Sequence, residues 1–315
     1  MFTKPYLQPY KGISTRHECP SCGMKNCFTL YIDGNTNEPI NSKVGKCNRE
    51  IKCGYHFSPK QYFNDNPSEK KDGKENTSIL KPRLIVSYKQ IGEIPIHFIN
   101  ESLSDKSNFV HFLSGFMTIE EIQNVCKKYK LGATKTNEVI FWQIDRNGKV
   151  RTGKIMQYNH ATGKRIKHEN GSIDWIHNRL KKTKVLPIDF NLEQCFFGEH
   201  LLKLHPYSTV AIVESEKSAI IASSQIPNLI WLAAGNINGL SIDKCKILEG
   251  RNVILYPDLG AFNKWSIKAD EIQKKCRCKV IISTLLEKID NDSDRENGLD
   301  IADYIIEQLK NKKLI

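Results

Sequence analysis

Two carboxylates in this chain each close a short apolar run. Glu214 follows Thr209-Val210-Ala211-Ile212-Val213, and Asp258 follows Asn252-Val253-Ile254-Leu255-Tyr256-Pro257. Such runs read as buried strands, and parallel strands deliver the residues after them to one sheet edge, where sites of open α/β folds lie. Carboxylates meeting there suit a divalent cation and, through it, phosphate chemistry. Glu216 stands close to Glu214. Lys217 would face a phosphate from the first turn of a following helix, beside free backbone N–H groups.

A second constellation is built from sulfur. Five of the ten cysteines fall between Cys19 and Cys53. Cys19-Pro20-Ser21-Cys22-Gly23 is a tight turn that points two thiols at one ion, and Cys47 and Cys53 form a second, more widely spaced pair. Four thiolates would hold structural Zn²⁺ tetrahedrally and leave no position open for water. Metal binding would also supply folding energy that this segment, poor in continuous apolar sequence, otherwise lacks. Cys27 or His17 can substitute for one ligand, and His56 is another nearby imidazole. The clustering, with no export signal in view, argues for metal before disulfides.

These groups need elements to position them. Phe28–Ile32 and 45–47 fit ribbon strands. In the middle of the chain, Thr118 caps a helix from Ile119 with Glu121 three residues on, and Gly132 is expected to stop it. Val139 to Ile144 and Lys149 to Tyr158 read as a hairpin turning through Asp145-Arg146-Asn147-Gly148. A short helix is expected to carry Ile173, Trp175, Ile176 and Leu180. Beyond Leu192 the pattern alternates between apolar strands (210–213, 229–232, 253–256, 280–282) and helices (217–223, 241–248, 264–275), which predicts a largely parallel sheet. Gly235 and Gly239 mark a loop of close backbone approach beside the cleft. The fold class is therefore α/β, in four stretches: a zinc ribbon over 10–65, a polar linker over 66–81, an α+β domain over 82–190 and a parallel-sheet domain over 191–315.

The 315 residues carry 47 Lys and Arg against 35 Asp and Glu, a formal net charge of +12. That excess attracts a polyanion, nucleic acid first, although a solvated basic surface is the plainer reading. Arg146, Arg151, Lys154, Arg165 and Lys167 on or beside the hairpin are candidate backbone contacts. Arg49 and Lys52 are candidates in the ribbon. Trp142, Tyr158 and Trp175 would stack on bases or, more commonly, pack in the core. No apolar stretch is long enough to span a bilayer, so no membrane partner and a cytoplasmic location are expected.

Cys19-Pro20-Ser21-Cys22, Asn48 through His56, Phe197-Gly198-Glu199-His200, Val213 through Ala219 and Tyr256-Pro257-Asp258-Leu259-Gly260 together resemble the zinc-ribbon plus toprim arrangement of bacterial and phage-type DNA primases. They are most similar to the primase-related proteins of Bacteroidetes mobile elements. In toprim enzymes a Glu follows the first strand and an Asp-x-Asp a later one. The resemblance thus maps the Glu to Glu214 and the first Asp to Asp258, but puts Gly260 where the second Asp belongs. Asp300 and Asp303 resemble the acidic segment after the last core strand of such domains; a helix cap explains them equally well.

What the resemblance implies is a nucleotidyltransferase that makes short RNA on single-stranded DNA from nucleoside triphosphates with Mg²⁺ or Mn²⁺. Any replicative helicase would be a separate protein, because the chain has no Walker sequence. Gly260 keeps a non-enzymatic nucleic-acid-binding descendant in play, and a toprim-type metal-dependent nuclease is a third reading.

Overall fold

A computed structural model describes residues 4–49, 53–66, 90–166, 172–289 and 298–313. The chain divides into two compact units, Met1–Val86 and Ser87–Ile315. The linker expected over 66–81 lies, apart from Asn66, outside the described residues, as do Lys52 and Lys167.

The first unit is an antiparallel sheet with its strands in sequence order: β1 (Tyr6–Leu7), β2 (Phe28–Ile32), β3 (Gly45–Cys47) and β4 (His56–Phe57). Its apolar centre is small, made of Phe28, Leu30 and buried cysteines. Gly45 has no room for a side chain, since a Cβ there would collide with the Phe28 ring and the Thr29 carbonyl. Helix α1 (Pro59–Asp65) closes the unit behind a Ser58–Gln61 capping box with proline at its first position, the one place in a helix where the missing N–H costs nothing.

The second unit begins with α2 (His97–Ser102), α3 (Asn108–Ser114) and α4 (Ile119–Tyr129). Thr118 and Glu121 make the expected capping box on α4. The helix ends earlier than expected: Lys130 takes the left-handed C-cap conformation at φ 52°, and Gly132 already belongs to a strand. That strand, β5 (Gly132–Ala133), opens an antiparallel sheet with β6 (Val139–Ile144), β7 (Val150–Met156) and β8 (Ile173–Trp175), ordered as in sequence. The hairpin turn is as expected, with Gly148 N donating to Asp145 O at 2.9 Å and Gly148 at φ 85°. Ile173 and Trp175 are not helical. They pair with Met156 and Lys154, and the helix α5 (Ile176–Lys182) begins after them.

All six residues of β6 are buried, because the strand is covered on both faces. Val139 and Phe141 join one core, which continues through α3, α4 and the domain that follows, while Ile140, Trp142 and Ile144 join a second with Ile94, Ile99 and Phe190. The middle and C-terminal stretches therefore share a hydrophobic core.

After the short α6 (Leu201–Leu204) come β9 (Val210–Val213), α7 (Glu216–Gln225), β10 (Ile230–Ala233), α8 (Ile242–Cys245), β11 (Asn252–Leu255), α9 (Phe262–Cys276), β12 (Lys279–Ile282), α10 (Leu285–Ile289) and α11 (Ile301–Lys313). The four strands form an all-parallel, toprim-like sheet in the order β10-β9-β11-β12. Val210 to Val213 and Ile230 to Ala233 are buried throughout, the continuous apolar pattern that a sheet covered on both faces demands. No described helix is long and apolar enough to cross a membrane.

Candidate metal and phosphate sites

The sheet order decides where the carboxylates go. From β9 the chain runs through α7 to β10 on one side, then crosses to β11 on the other. The connections thus diverge between adjacent strands β9 and β11, and the crevice at their carboxyl ends is the usual ligand position in open α/β sheets. Ile212 pairs with Leu255, and Tyr256 N donates to Ile212 O at 2.8 Å, so both strands end level. Glu214 and Asp258 follow directly, at that edge.

Glu214 is seated by the loop after β10. Gly235 N donates to the Glu214 carbonyl at 2.9 Å, and Ile237 N–H donates to its carboxylate. Gly235 has φ 91°, and a Cβ at Gly239 would strike the Ala234 carbonyl, so this loop does need the close approach its glycines suggested. Burial raises the Glu214 pKa; Lys154 and Lys264 pull it back, and Asp300 adds to the rise. Lys264, in the first turn of α9, had no motif to betray it.

Asp258 is half-buried, and its carboxylate makes no hydrogen bond to a described residue. Burial and then the charges of Asp300, Glu214 and Asp303 push its pKa well above the ordinary carboxylate range, against Lys217. Asp300 is both a cap and a member of the acidic cluster. Its Oδ1 accepts from Ala302 N at 2.7 Å and Asp303 N at 3.2 Å, while Oδ2 accepts from Ser218 Oγ at 2.6 Å. Burial raises its pKa too, opposed by Lys217. Asp303 returns the cap by accepting from Asp300 N at 3.0 Å and holds Lys217 Nζ at 3.3 Å. Although burial opposes its charge, Lys217 is held more basic than usual by Asp300, Asp303 and Asp258.

Glu216 is not available to this cluster. Lys154 Nζ lies 2.9 and 3.2 Å from its two oxygens and 3.1 Å from Gly235 O, in a buried pair. The residues that fit a hard divalent cation are therefore Glu214 and Asp258, with Asp300 and Asp303 behind them. They are oxygen donors, half-buried except for the buried Asp300, and mutually repelling, and the Asp258 carboxylate lacks a partner among the described residues. Their oxygens do not make a compact ligand cluster like that of the cysteines; an ion such as Mg²⁺, which keeps several waters, would need only one or two of them. The Gly260 position is an exposed turn with φ 85° and open space around it.

The hairpin does not form the expected basic track. Arg151 falls where the β6–β7 pairing slips by one residue, between Ile144–Val150 and Gln143–Thr152, and it and Lys154 are taken up by different carboxylates. Lys154 goes inward to Glu216. Arg151 binds Asp145 at 2.6 and 3.1 Å and Gly92 O at 3.0 Å. Arg146 and Arg165 remain exposed. Trp142 and Tyr158 are buried core residues, and Trp175 is partly buried.

In the first unit the ligand atoms of Cys19, Cys22, Cys47 and Cys53 all lie within 4.8 Å of one another, unlike any other group of three or more such side chains among the described residues. Zn–S bonds of about 2.3 Å in a tetrahedron place sulfurs about 3.8 Å apart. Cys19 Sγ and Cys53 Sγ are 3.7 Å apart, so the quartet fits a structural zinc. Cys27 lies beside the quartet, its Sγ 3.7 Å from that of Cys47, and donates to Met24 O at 3.1 Å. His17 meets Gln8 and His56 meets Tyr31, each away from the thiols. Arg49 donates to Cys22 Sγ at 3.8 Å, which supports the thiolate rather than leaving the guanidinium to a nucleic acid.

Residues 4–68 match a family model described as a zinc beta-ribbon finger, and residues 107–259 match a domain of unknown function, DUF6371. No curated protein matches the chain. Solved structures similar to it include the primase fragment of the bacteriophage T7 primase-helicase, at 12% identity over 93% of this chain and 98% of that one, with TM-score 0.38. The zinc-binding and RNA polymerase domains of Aquifex aeolicus primase align at 12% identity over 96% and 80%, with TM-score 0.37. The Escherichia coli primase catalytic core aligns at 13% identity over 70% and 79%, with TM-score 0.33.

Proposed function

We propose that the protein is a primase-like nucleotidyltransferase that synthesises short RNA on single-stranded DNA from nucleoside triphosphates. The observation that carries this reading is the placement of Glu214 and Asp258 after adjacent strands at the switch-point edge of a parallel sheet, with Asp300 and Asp303 adding negative charge. Glu214 and Asp258 would hold magnesium or manganese there, which when bound would supply charge stabilisation for phosphoryl transfer. Glu214 would hold the cation and stand ready to accept the proton of an attacking 3′ hydroxyl. Lys217, in the first turn of α7, would neutralise a phosphate oxygen, and the Ile237 N–H keeps the Glu214 carboxylate aimed at the edge. The ribbon, with structural zinc, would present the template, and the resemblance extends the role to replication or transfer of a mobile element beside a separate helicase.

The test is template-dependent product formation across Mg²⁺ and Mn²⁺ concentrations, with Glu214→Gln and Asp258→Asn alongside. Product that vanishes in both variants supports synthesis; cleavage of the template in place of product supports a nuclease. Gly260 favours a second reading, a binding protein descended from a primase, because one carboxylate fewer weakens the hold on paired cations. That reading expects template binding, unchanged by Asp258→Asn, with neither product nor cleavage.

A further inference from the structure

Two adjoining cavities, of about 460 and 440 Å³, lie apart from the carboxylate pair and share Arg146, Asn147 and Ile247 in their walls. They make one groove between the hairpin turn, the α6 region and the segment after α8. At its inner end, where Asp145, Glu193, Glu199 and Asp243 line the wall and offset the positive charge, Lys244 donates to Ala234 O at 3.3 Å. At its outer end stand Lys203, Arg251 and Tyr207. The Arg146 guanidinium lines both halves and has no hydrogen bond or ion pair with a described residue. Arg251 is fixed in direction by the carbonyls of Leu202 at 2.6 Å and His205 at 2.9 Å, and has no acidic partner among the described residues. Tyr207, 97% exposed, offers a bare ring beside them.

Unpaired cations next to an unburied aromatic ring match what a single strand presents, spaced phosphates with free base faces. We propose that the outer half of this groove binds single-stranded nucleic acid, with phosphates on Arg146, Lys203 and Arg251 and a base stacked on Tyr207. The inference deepens the proposed function by giving the template strand a seat on the surface of this unit, and it rests on that reading only for the purpose the strand serves. The groove accounts for what the hairpin face does not provide, since Lys154 and Arg151 are committed to carboxylates.

The experiment measures anisotropy of labelled oligo(dT) and oligo(rU) in EDTA, with the full chain, over a range of salt. Arg146→Ala with Lys203→Ala should weaken binding and flatten the salt dependence by about 1.4 in log–log slope, at about 0.7 per lost phosphate contact on single strands. Tyr207→Ala should weaken binding at least about fivefold with the slope unchanged. All three side chains are exposed, so the variants should keep the wild-type melting curve. Wild-type affinity in these variants would overturn the proposal, as would full competition by a free nucleoside triphosphate, which would make the groove a nucleotide pocket. Glu214→Gln should bind as wild type. Absence of synthesis by the wild-type chain, with groove binding retained, would sink the enzyme reading and leave the groove standing.

Discussion

Lys154 and Glu216, 62 residues apart in sequence, form a buried ion pair at 2.9 Å, their side chains 5% and 1% exposed. The pair ties the hairpin to the start of α7, and through the Gly235 carbonyl it braces the loop whose backbone seats Glu214. Neither charge has water to turn to if the other is removed. Lys154→Met should therefore cost about 3–5 kcal/mol, the usual penalty for stranding one buried charge. Lys154→Met combined with Glu216→Met should recover most of that loss, because an apolar pair of similar volume needs no compensation. Urea denaturation of wild type and the two variants checks both; a single variant as stable as wild type would mean the pair is not buried in solution.

The zinc assignment makes a sharper distinction than the loss of any cysteine. Cys47→Ser removes a member of the quartet and should abolish zinc retention and unfold the ribbon, whose apolar core beside the thiols is small, Phe28 and Leu30 with Ile32, Val44 and Tyr62. Cys27→Ser changes a thiol just as close to Cys47 but outside the quartet, and should retain about one zinc per chain. Metal analysis after gel filtration decides. Zinc lost equally in both variants would place Cys27 among the ligands.

Much of this arrangement was legible beforehand, for a physical reason. Strands such as Val210–Val213 are buried on both faces, so their apolar runs are unbroken, and the carboxylate after each run stands out. The Thr118–Glu121 box was equally readable because capping is local. Ile173 and Trp175 were misassigned to a helix because the three-residue strand they form depends on pairing with Lys154 and Met156, which local pattern does not encode. Lys154 was misjudged for a related reason. A lysine on a hairpin reads as outward-facing until the second layer that receives it is known, and that layer is supplied by Glu216. Lys264 was invisible because it reaches Glu214 only through the fold.

Asp258 should weaken the metal-free fold at neutral pH. Burial and the neighbouring carboxylates raise its pKa in the folded chain. The folded state thus binds the proton more tightly than the unfolded state, and stability falls as pH rises from the unfolded value of about 4 through the raised folded value. Asp258→Asn removes that penalty. In chelator its melting temperature should exceed that of wild type, by more at pH 8 than at pH 5. Added Mg²⁺ should stabilise wild type and do little for the variant. A stability difference independent of pH would show that Asp258 is not under the repulsion its surroundings imply.

Gly260 offers the most direct test of whether the missing carboxylate limits the site. Its φ of 85° favours glycine, yet a Cβ there meets nothing within 4 Å, so Gly260→Asp is opposed by backbone conformation alone. That cost should be about 1–3 kcal/mol, toward the low end because aspartate tolerates the left-handed region better than most residues. In return a second carboxylate would stand two residues from Asp258, where it can share a cation. Mn²⁺ binding, followed by electron paramagnetic resonance, should tighten in Gly260→Asp and be lost again when Asp258→Asn is added. If the single variant folds but binds Mn²⁺ no better than wild type, the turn carries residue 260 away from the crevice, and its glycine serves the backbone rather than marking a lost ligand.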